Sequence, residues 1–227
     1  MSERVRMLKN DIAFQMRESR IFSLAGSKTR FYGLLGHPVG HSYSPMIHQM
    51  IACELGADQV YDVFDIDAPD LAANLPLLRE RFSGFNCTIP LKQAILPYLD
   101  ELEEKAARFG AVNTVKNEDG RLIGYNTDAY GFRRALTRAG IPLAGRALLL
   151  GAGGVARVMA FEAASAGCDL TIAARNCCKA SALAADVYSA CPQASVHSLN
   201  LAKVRGSFDL IINATPVGMF PHTDACP

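Results

Sequence analysis

One stretch restricts the fold more than any other: "RALLLGAGGVARVMAFEAASAG", residues 146–167. An apolar run of strand length, Ala147 to Leu150, meets three glycines at Gly151, Gly153 and Gly154, then a helix-forming run that ends at Gly167. A second apolar run, "DLTIAARN", follows at once. Strand, glycine turn, helix and strand in that order make a βαβ unit, which requires a parallel sheet. Gly151 permits the tight turn, while Gly153 and Gly154 let a diphosphate approach the backbone at the helix N-terminus, where the dipole favours negative charge. Ala156 is small enough for close helix packing. The segment Gly151, Ala152, Gly153, Gly154, Val155 and Ala156 is therefore the expected cradle of a dinucleotide.

The end of the second strand selects between cofactors. An acid there would hydrogen-bond a ribose 2′-hydroxyl and indicate NAD. The chain instead presents Ala173, Ala174, Arg175 and Asn176, with Lys179 close behind. A guanidinium clamps a 2′-phosphate in fork geometry and a lysine adds charge, so NADP(H) is the expected cofactor. The competing reading is two solvated surface cations.

Upstream, strand-like and helix-like segments alternate. The expected order is a strand at "FYGLLG" (31–36), a helix near 45–55, a strand at "VYDVFDI" (60–66) and a helix near 68–82. A strand at "GFNCTIP" (84–90) and helices near 92–99 and 101–108 come next. A β-hairpin over 111–128, turning at 118–120, precedes a helix near 129–139 that ends at Gly140. The first thirty residues lean basic but carry acids and lack an apolar signal core, and an extra surface helix with Ile12, Phe14, Met16 and Ile21 partly buried is expected there. A net charge of +1 points to neither nucleic acid nor a membrane surface, and no apolar run has the length to span a bilayer. Seven scattered cysteines, an odd number without metal-ligand spacing, suggest reduced thiols, no metal site and a cytoplasmic location.

"GHPVGHSYSPMIHQM", residues 36–50, puts Ser42 and Ser44 between a strand end and a helix start, with Ser44 as the N-cap before Pro45. Such junctions bind polar small molecules, because amides and hydroxyls converge there. An ordinary βα loop whose serines only cap the helix is the alternative. Lys92 in "GFNCTIPLK" and Asp128 in "GYNTDAYGF" also stand at strand ends.

Six ordered blocks, "GHPVGHSYSP", "GFNCTIPLK", "GAVNT", "GYNTDAYGF", "GAGGVAR" and "NATPVGM", spread from about Phe31 to about Phe220, closely resemble the shikimate dehydrogenase family, which includes quinate/shikimate dehydrogenases. The resemblance implies an α/β chain with an N-terminal substrate-binding and catalytic domain (1–127, with 1–30 as an extension) and a Rossmann-type NADP-binding domain (128–227). It implies an oxidoreductase of aromatic amino-acid biosynthesis, interconverting 3-dehydroshikimate and shikimate with NADP(H). By carry-over, Ser42 and Ser44 bind the substrate carboxylate, Thr88 and Asn113 complete the substrate contacts, and Lys92 and Asp128 are the catalytic pair. Thr215, in the last block, joins the cofactor contacts. Family members continue for several tens of residues past that block, so this chain, reaching Pro227, is expected to be shortened at its C-terminus. Two alternatives stay open: a quinate/shikimate dehydrogenase using NAD, and a ligand-binding relative with impaired catalysis.

Overall fold

Strands buried on both faces read as unbroken apolar runs, and Leu34–Leu35 and Ala147–Leu150 are such runs in inner strands of two sheets. The computed structural model describes residues 10–19, 22, 25–220 and 222–227. Ile21, expected to be partly buried, lies outside them. The described chain divides into two units, one reaching residue 107 and resuming over 112–126, the other formed by 108–111 and 127–227.

The first unit carries helix α1 (Ile12–Glu18), strand β1 (Arg30–Gly36), helix α2 (Ser44–Leu55), strand β2 (Gln59–Asp65), helix α3 (Leu71–Arg81) and strand β3 (Phe82–Cys87). The short helix α4 (Leu91–Ala94), strand β4 (Glu101–Leu102) and the hairpin β5 (Thr114–Glu118) and β6 (Arg121–Tyr125) complete it. The sheet order is β2-β1-β3-β5-β6-β4. β1 pairs in parallel with β2 and β3, while β5 runs antiparallel to β3 with Asn86 opposite Thr114. The C-terminal ends of β1, β2 and β3 and the start of β5 thus lie along one edge. Leu35, Phe64, Phe82, Phe85 and Leu122 fill the core, and Ile12 of α1 is wholly buried among them. The Ile12 amide also donates to Asn74 Oδ1 at 2.8 Å, so α1 is stitched to α3 by packing and hydrogen bonding.

Several expected boundaries move. The strand expected over 84–90 stops at Cys87, because Leu91 N–H turns back to the Thr88 carbonyl at 2.7 Å. The helix expected at 92–99 is only α4 and a 3₁₀ turn at Leu96–Tyr98, since Pro97 lacks an amide hydrogen. Residues Glu101–Leu102, expected to open a helix, instead form β4 beside Ile123 and Gly124 of β6. The hairpin turns at Asp119 and Gly120, both with positive φ (52° and 90°), the conformation a two-residue turn needs.

The second unit begins with the end of helix α5 (Glu104–Phe109), whose Phe109 belongs to its core. Helix α6 (Asp128–Ala139), strand β7 (Arg146–Leu150), helix α7 (Gly154–Ser165), strand β8 (Asp169–Ala174), helix α8 (Cys177–Ala190), strand β9 (Val196–Asn200) and strand β10 (Leu210–Asn213) follow. Its sheet, ordered β10-β7-β8-β9, is parallel throughout. α7 buries Ala156, Ala160, Ala163 and Ala164, a small-residue face that brings its backbone close to its neighbours. All seven cysteines are free thiols. Among the described residues no three or more His, Cys, Asp or Glu side chains gather as a metal site, and no helix is long and apolar enough to cross a membrane.

Candidate functional site

In the first unit, the edge where β1 and β3 end gathers the predicted substrate residues. The loop after β1 is anchored by Val39, buried with Leu34 and Tyr61, and by Ser42 N–H bonding the Val39 carbonyl at 3.0 Å. Gly36 makes its close approach possible: a Cβ there would meet the Thr88 methyl and lie 2.7 Å from the Ile89 carbonyl oxygen. His37 N–H then donates to that same carbonyl at 2.8 Å, tying the serine loop to the Thr88 turn. Asp65, at the end of β2, holds the His37 ring at 2.5 Å.

Ser44 is not the N-cap. It is the first residue of α2; the cap position falls to Tyr43, whose side chain makes no capping bond. The Ser44 amide is taken by Ser42 Oγ at 3.2 Å, and Ser42 Oγ donates to Ser44 Oγ at 3.1 Å. Both serines are half-buried and adjacent, a pair of hydroxyl donors in position for one carboxylate. Ser44 is therefore not the cap, while Ser42 satisfies the first amide of the helix.

Thr88 continues the β1 contact, its amide donating to the Leu35 carbonyl at 2.9 Å. Lys92 lies in the first turn of α4, its carbonyl accepting from Val112 N–H at 2.8 Å. The Asn113 carbonyl accepts from Cys87 N–H at 2.9 Å, which sets Asn113 against the end of β3. Ser42, Ser44, Thr88, Lys92 and Asn113 are thus brought to one edge by backbone bonds between four segments. Burial pushes the Cys87 thiol up to about 12, and the nearby Lys92 ammonium pulls against that shift. The Cys87 thiol is therefore neutral at ordinary pH.

In the second unit, Gly151 follows β7 with φ of 111°, and a Cβ there would approach the Ala214 carbonyl oxygen to 2.9 Å. Gly153 is the N-cap of α7 and no side chain caps that helix. The space a Cβ would fill at Gly153 is open for at least 4 Å. Backbone N–H groups at the head of a twelve-residue helix, facing open space, fit a diphosphate. Ala156 is completely buried, as helix packing at that position requires, and Gly154, Ala152 and Val155 complete the turn.

β8 ends at Ala174, and Arg175 and Lys179 beyond it are exposed and without an ion pair among the described residues. No carboxylate follows the strand. Asn176, predicted to touch cofactor, caps α8: its Oδ1 accepts from Lys179 N–H at 3.2 Å. Thr215 stands beside the glycine turn, its methyl 3.2 Å from the Cβ position of Gly151. The motif reading passed over Asn213, which fixes that threonine by accepting from its amide at 3.0 Å and its hydroxyl at 2.7 Å. Asp128 is the first residue of α6, where the helix dipole favours its negative charge.

The comparisons agree with both regions. Residues 34–115 match the family model described as "Shikimate dehydrogenase substrate binding domain". The chain is 46% identical over 208 residues to the shikimate dehydrogenase (NADP(+)) of Moorella thermoacetica, covering 88% of this chain and 70% of that one. The chain belongs to the shikimate dehydrogenase family. Its fold matches the Thermus thermophilus shikimate 5-dehydrogenase crystallised with NADP(H) and shikimate, with a TM-score of 0.77 at 41% identity, over 88% of this chain and 73% of that one. A shikimate dehydrogenase in complex with NADP+ gives a TM-score of 0.82 at 40% identity, over 90% and 72%. The N-terminal α/β unit is accordingly the family's substrate domain and the parallel sheet its Rossmann-type domain.

Proposed function

We propose that this chain is an NADP-dependent shikimate dehydrogenase, reversibly reducing 3-dehydroshikimate to shikimate. The observation that carries the reading is the convergence of Ser42, Ser44, Thr88, Lys92 and Asn113 on one sheet edge, in a chain 46% identical to a shikimate dehydrogenase (NADP(+)). A small polyhydroxy acid needs neutral donors for its carboxylate and mixed donors and acceptors for its hydroxyls. Two serines, a threonine and an asparagine supply them.

NADP(H), when bound, supplies the hydride. The exposed Arg175 and Lys179 hold the 2′-phosphate, and the amides at the head of α7 hold the diphosphate. As negative charge grows on the ketone oxygen, the Lys92 ammonium stabilises it and delivers its proton there; in the reverse direction the neutral amine takes the hydroxyl proton. Asp128 is the second member of the pair that the family resemblance implies, a carboxylate able to accept from a substrate hydroxyl. Thr215 borders the glycine turn and contacts the cofactor. The reduced thiols fit a cytoplasmic location.

The test is a spectrophotometric assay of NADPH oxidation with 3-dehydroshikimate, set beside separate titrations of shikimate and NADPH. Turnover with NADPH well above that with NADH is expected. Binding of both ligands without turnover would make the chain a ligand-binding relative, and a preference for NADH with quinate would favour the NAD-linked reading.

A further inference from the structure

Helix α1 lies outside the motifs that carry the proposed function, yet it is fastened along the first unit at several points. Ile12 is wholly buried, and its amide donates to Asn74 Oδ1 at 2.8 Å. Ser19, the residue after the helix, donates its hydroxyl to Asp62 Oδ2 at 2.6 Å. Between them, the Gln15 carboxamide takes both backbone groups of Asp65. Its Nε2 donates to the Asp65 carbonyl at 3.0 Å, and its Oε1 accepts from the Asp65 amide at 2.8 Å. β2 is an edge strand, and this one side chain does for Asp65 what a further strand would do.

Asp65 in turn borders the serine loop. Gly36, the last residue of β1, stands opposite it in the parallel register, and Ile66 N–H closes the junction on the Gly36 carbonyl at 2.9 Å. The Asp65 carboxylate meets His37 Nδ1 at 2.5 Å. A carboxylate only accepts, so the imidazole carries a hydrogen on Nδ1. His37 is thus held twice, by its ring to the end of β2 and by its amide to the Ile89 carbonyl. Over 37–41 only Val39 is buried, so the placement of His37 has a large say in where Ser42 and Ser44 stand. A line of hydrogen bonds therefore leads from α1 through the edge strand to the start of that loop.

Resting on the proposed function, we infer that Gln15 is a positioning residue for the carboxylate end of the substrate, acting through Asp65 and His37 without touching the ligand. Gln15 fixes the Asp65 backbone, Asp65 presents its carboxylate to His37, and His37 sets the course of the chain toward the two serines. Without the carboxamide, the Asp65 backbone groups turn to water and the end of β2 is free to move off His37. The His37–Asp65 pair is exposed, so the effect on affinity is modest, but it falls on the substrate alone.

Gln15→Ala, His37→Ala, their combination and His37→Asn are compared with the parent. His37→Asn puts an amide Nδ2 where the imidazole Nδ1 stands and so keeps a donor for Asp65. Shikimate and NADPH affinities are measured by calorimetric titration, kcat and KM by initial rates, and a thermal melt is recorded for each protein. Gln15→Ala should bind shikimate about threefold more weakly and His37→Ala about fivefold, within the worth of one hydrogen bond. KM should rise with kcat nearly unchanged, and NADPH affinity should stay within about 1.5-fold. In the His37→Ala background Gln15→Ala should cost less than about 1.5-fold, since Gln15 acts through His37. His37→Asn should stay within about twofold of the parent. Parent-like shikimate affinity in Gln15→Ala, even with a lowered melting temperature, overturns the inference and leaves α1 a structural brace. An equal loss in the His37→Ala background, an equal loss for NADPH, or a loss in His37→Asn matching that in His37→Ala overturns it too. A parent that binds NADPH but not shikimate overturns the proposed function and this inference with it, an outcome visible before any variant is compared.

Discussion

Around Gly151 the groups facing the ligand position come from the backbone of one short turn, whereas around Ser42 they are side chains from segments as far apart as Ser42 and Asn113. The first arrangement is local: a strand, three glycines and a helix are sufficient, and the geometry follows from φ of 111° at Gly151 and the uncapped head of α7. The second exists only because β1, β3 and β5 are paired in one register, bringing Thr88, Lys92 and Asn113 beside the serine loop. A backbone cradle tolerates side-chain changes that leave its glycines alone. A site made of side chains is expected to fail one residue at a time.

The largest effect should come from Lys92. Lys92→Ala removes the proton donor, and turnover should fall by about 100- to 10,000-fold, the usual worth of a positioned general acid. NADPH affinity, followed by fluorescence titration, should stay within about twofold, because no cofactor contact in the other unit is altered. Lost turnover accompanied by equally lost NADPH affinity would break the separation between the two regions.

Next comes the double variant Ser42→Ala/Ser44→Ala. Two charge-assisted hydrogen bonds of about 1.5 kcal/mol or more each predict at least about a 100-fold loss of shikimate affinity. The double variant also loses the bond from Ser44 N–H to Ser42 Oγ at the head of α2, so stability should fall by no more than about 0.5–1.5 kcal/mol, the worth of one hydrogen bond. A large drop in melting temperature with shikimate affinity unchanged would return both serines to a structural role.

Arg175→Ala probes the side-chain supplement to the backbone cradle. A hydrogen bond to a charged group is worth about 1.5–3 kcal/mol, and exposure puts Arg175 at the low end, so NADPH affinity should fall about tenfold. NADH affinity should barely change. Equal losses for both cofactors would mean that Arg175 acts on something other than the 2′-phosphate.

The same contrast decides what could be read from the chain beforehand. The glycine turn and its strands were readable because each neighbour needed is adjacent in sequence. The Asp119–Gly120 turn was readable for the same reason. Glu101–Leu102 was not: two residues become a strand only when β6 lies alongside them, and nothing local signals that. Ser44 was misread as a cap because a serine before proline fits that pattern, whereas the helix begins at Ser44 and the cap position falls to Tyr43. Tyr61 and Asn86 sit inside apolar strands, and a polar group in such a run is the signal that could have marked them. The hydrogen bond from Tyr61 to Asn86 spans 25 residues and that from Asn86 to Thr114 spans 28, so these bonds had no local trace.

The smallest effect concerns the rim of the first unit, where side chains also replace local backbone logic. Asp100 accepts from Arg79 at 2.5 Å and from Leu122 N–H at 2.7 Å, tying the segment before β4 to α3 and β6. The Arg79 guanidinium, then the Leu122 amide, hold its carboxyl below the ordinary value of 3.8. A carboxylate with a depressed folded pKa stabilises the fold above its unfolded value and loses that contribution as pH falls through the folded one. The stabilisation should therefore be constant at neutral pH and fade only below 3.8. Asp100→Asn keeps the shape and removes the charge, so parent and variant melts should differ by a small, fixed amount from about pH 5 to 8 and converge in stronger acid. Convergence already above pH 5, or no difference at any pH, would show that this link adds nothing to the side-chain framework of the first unit.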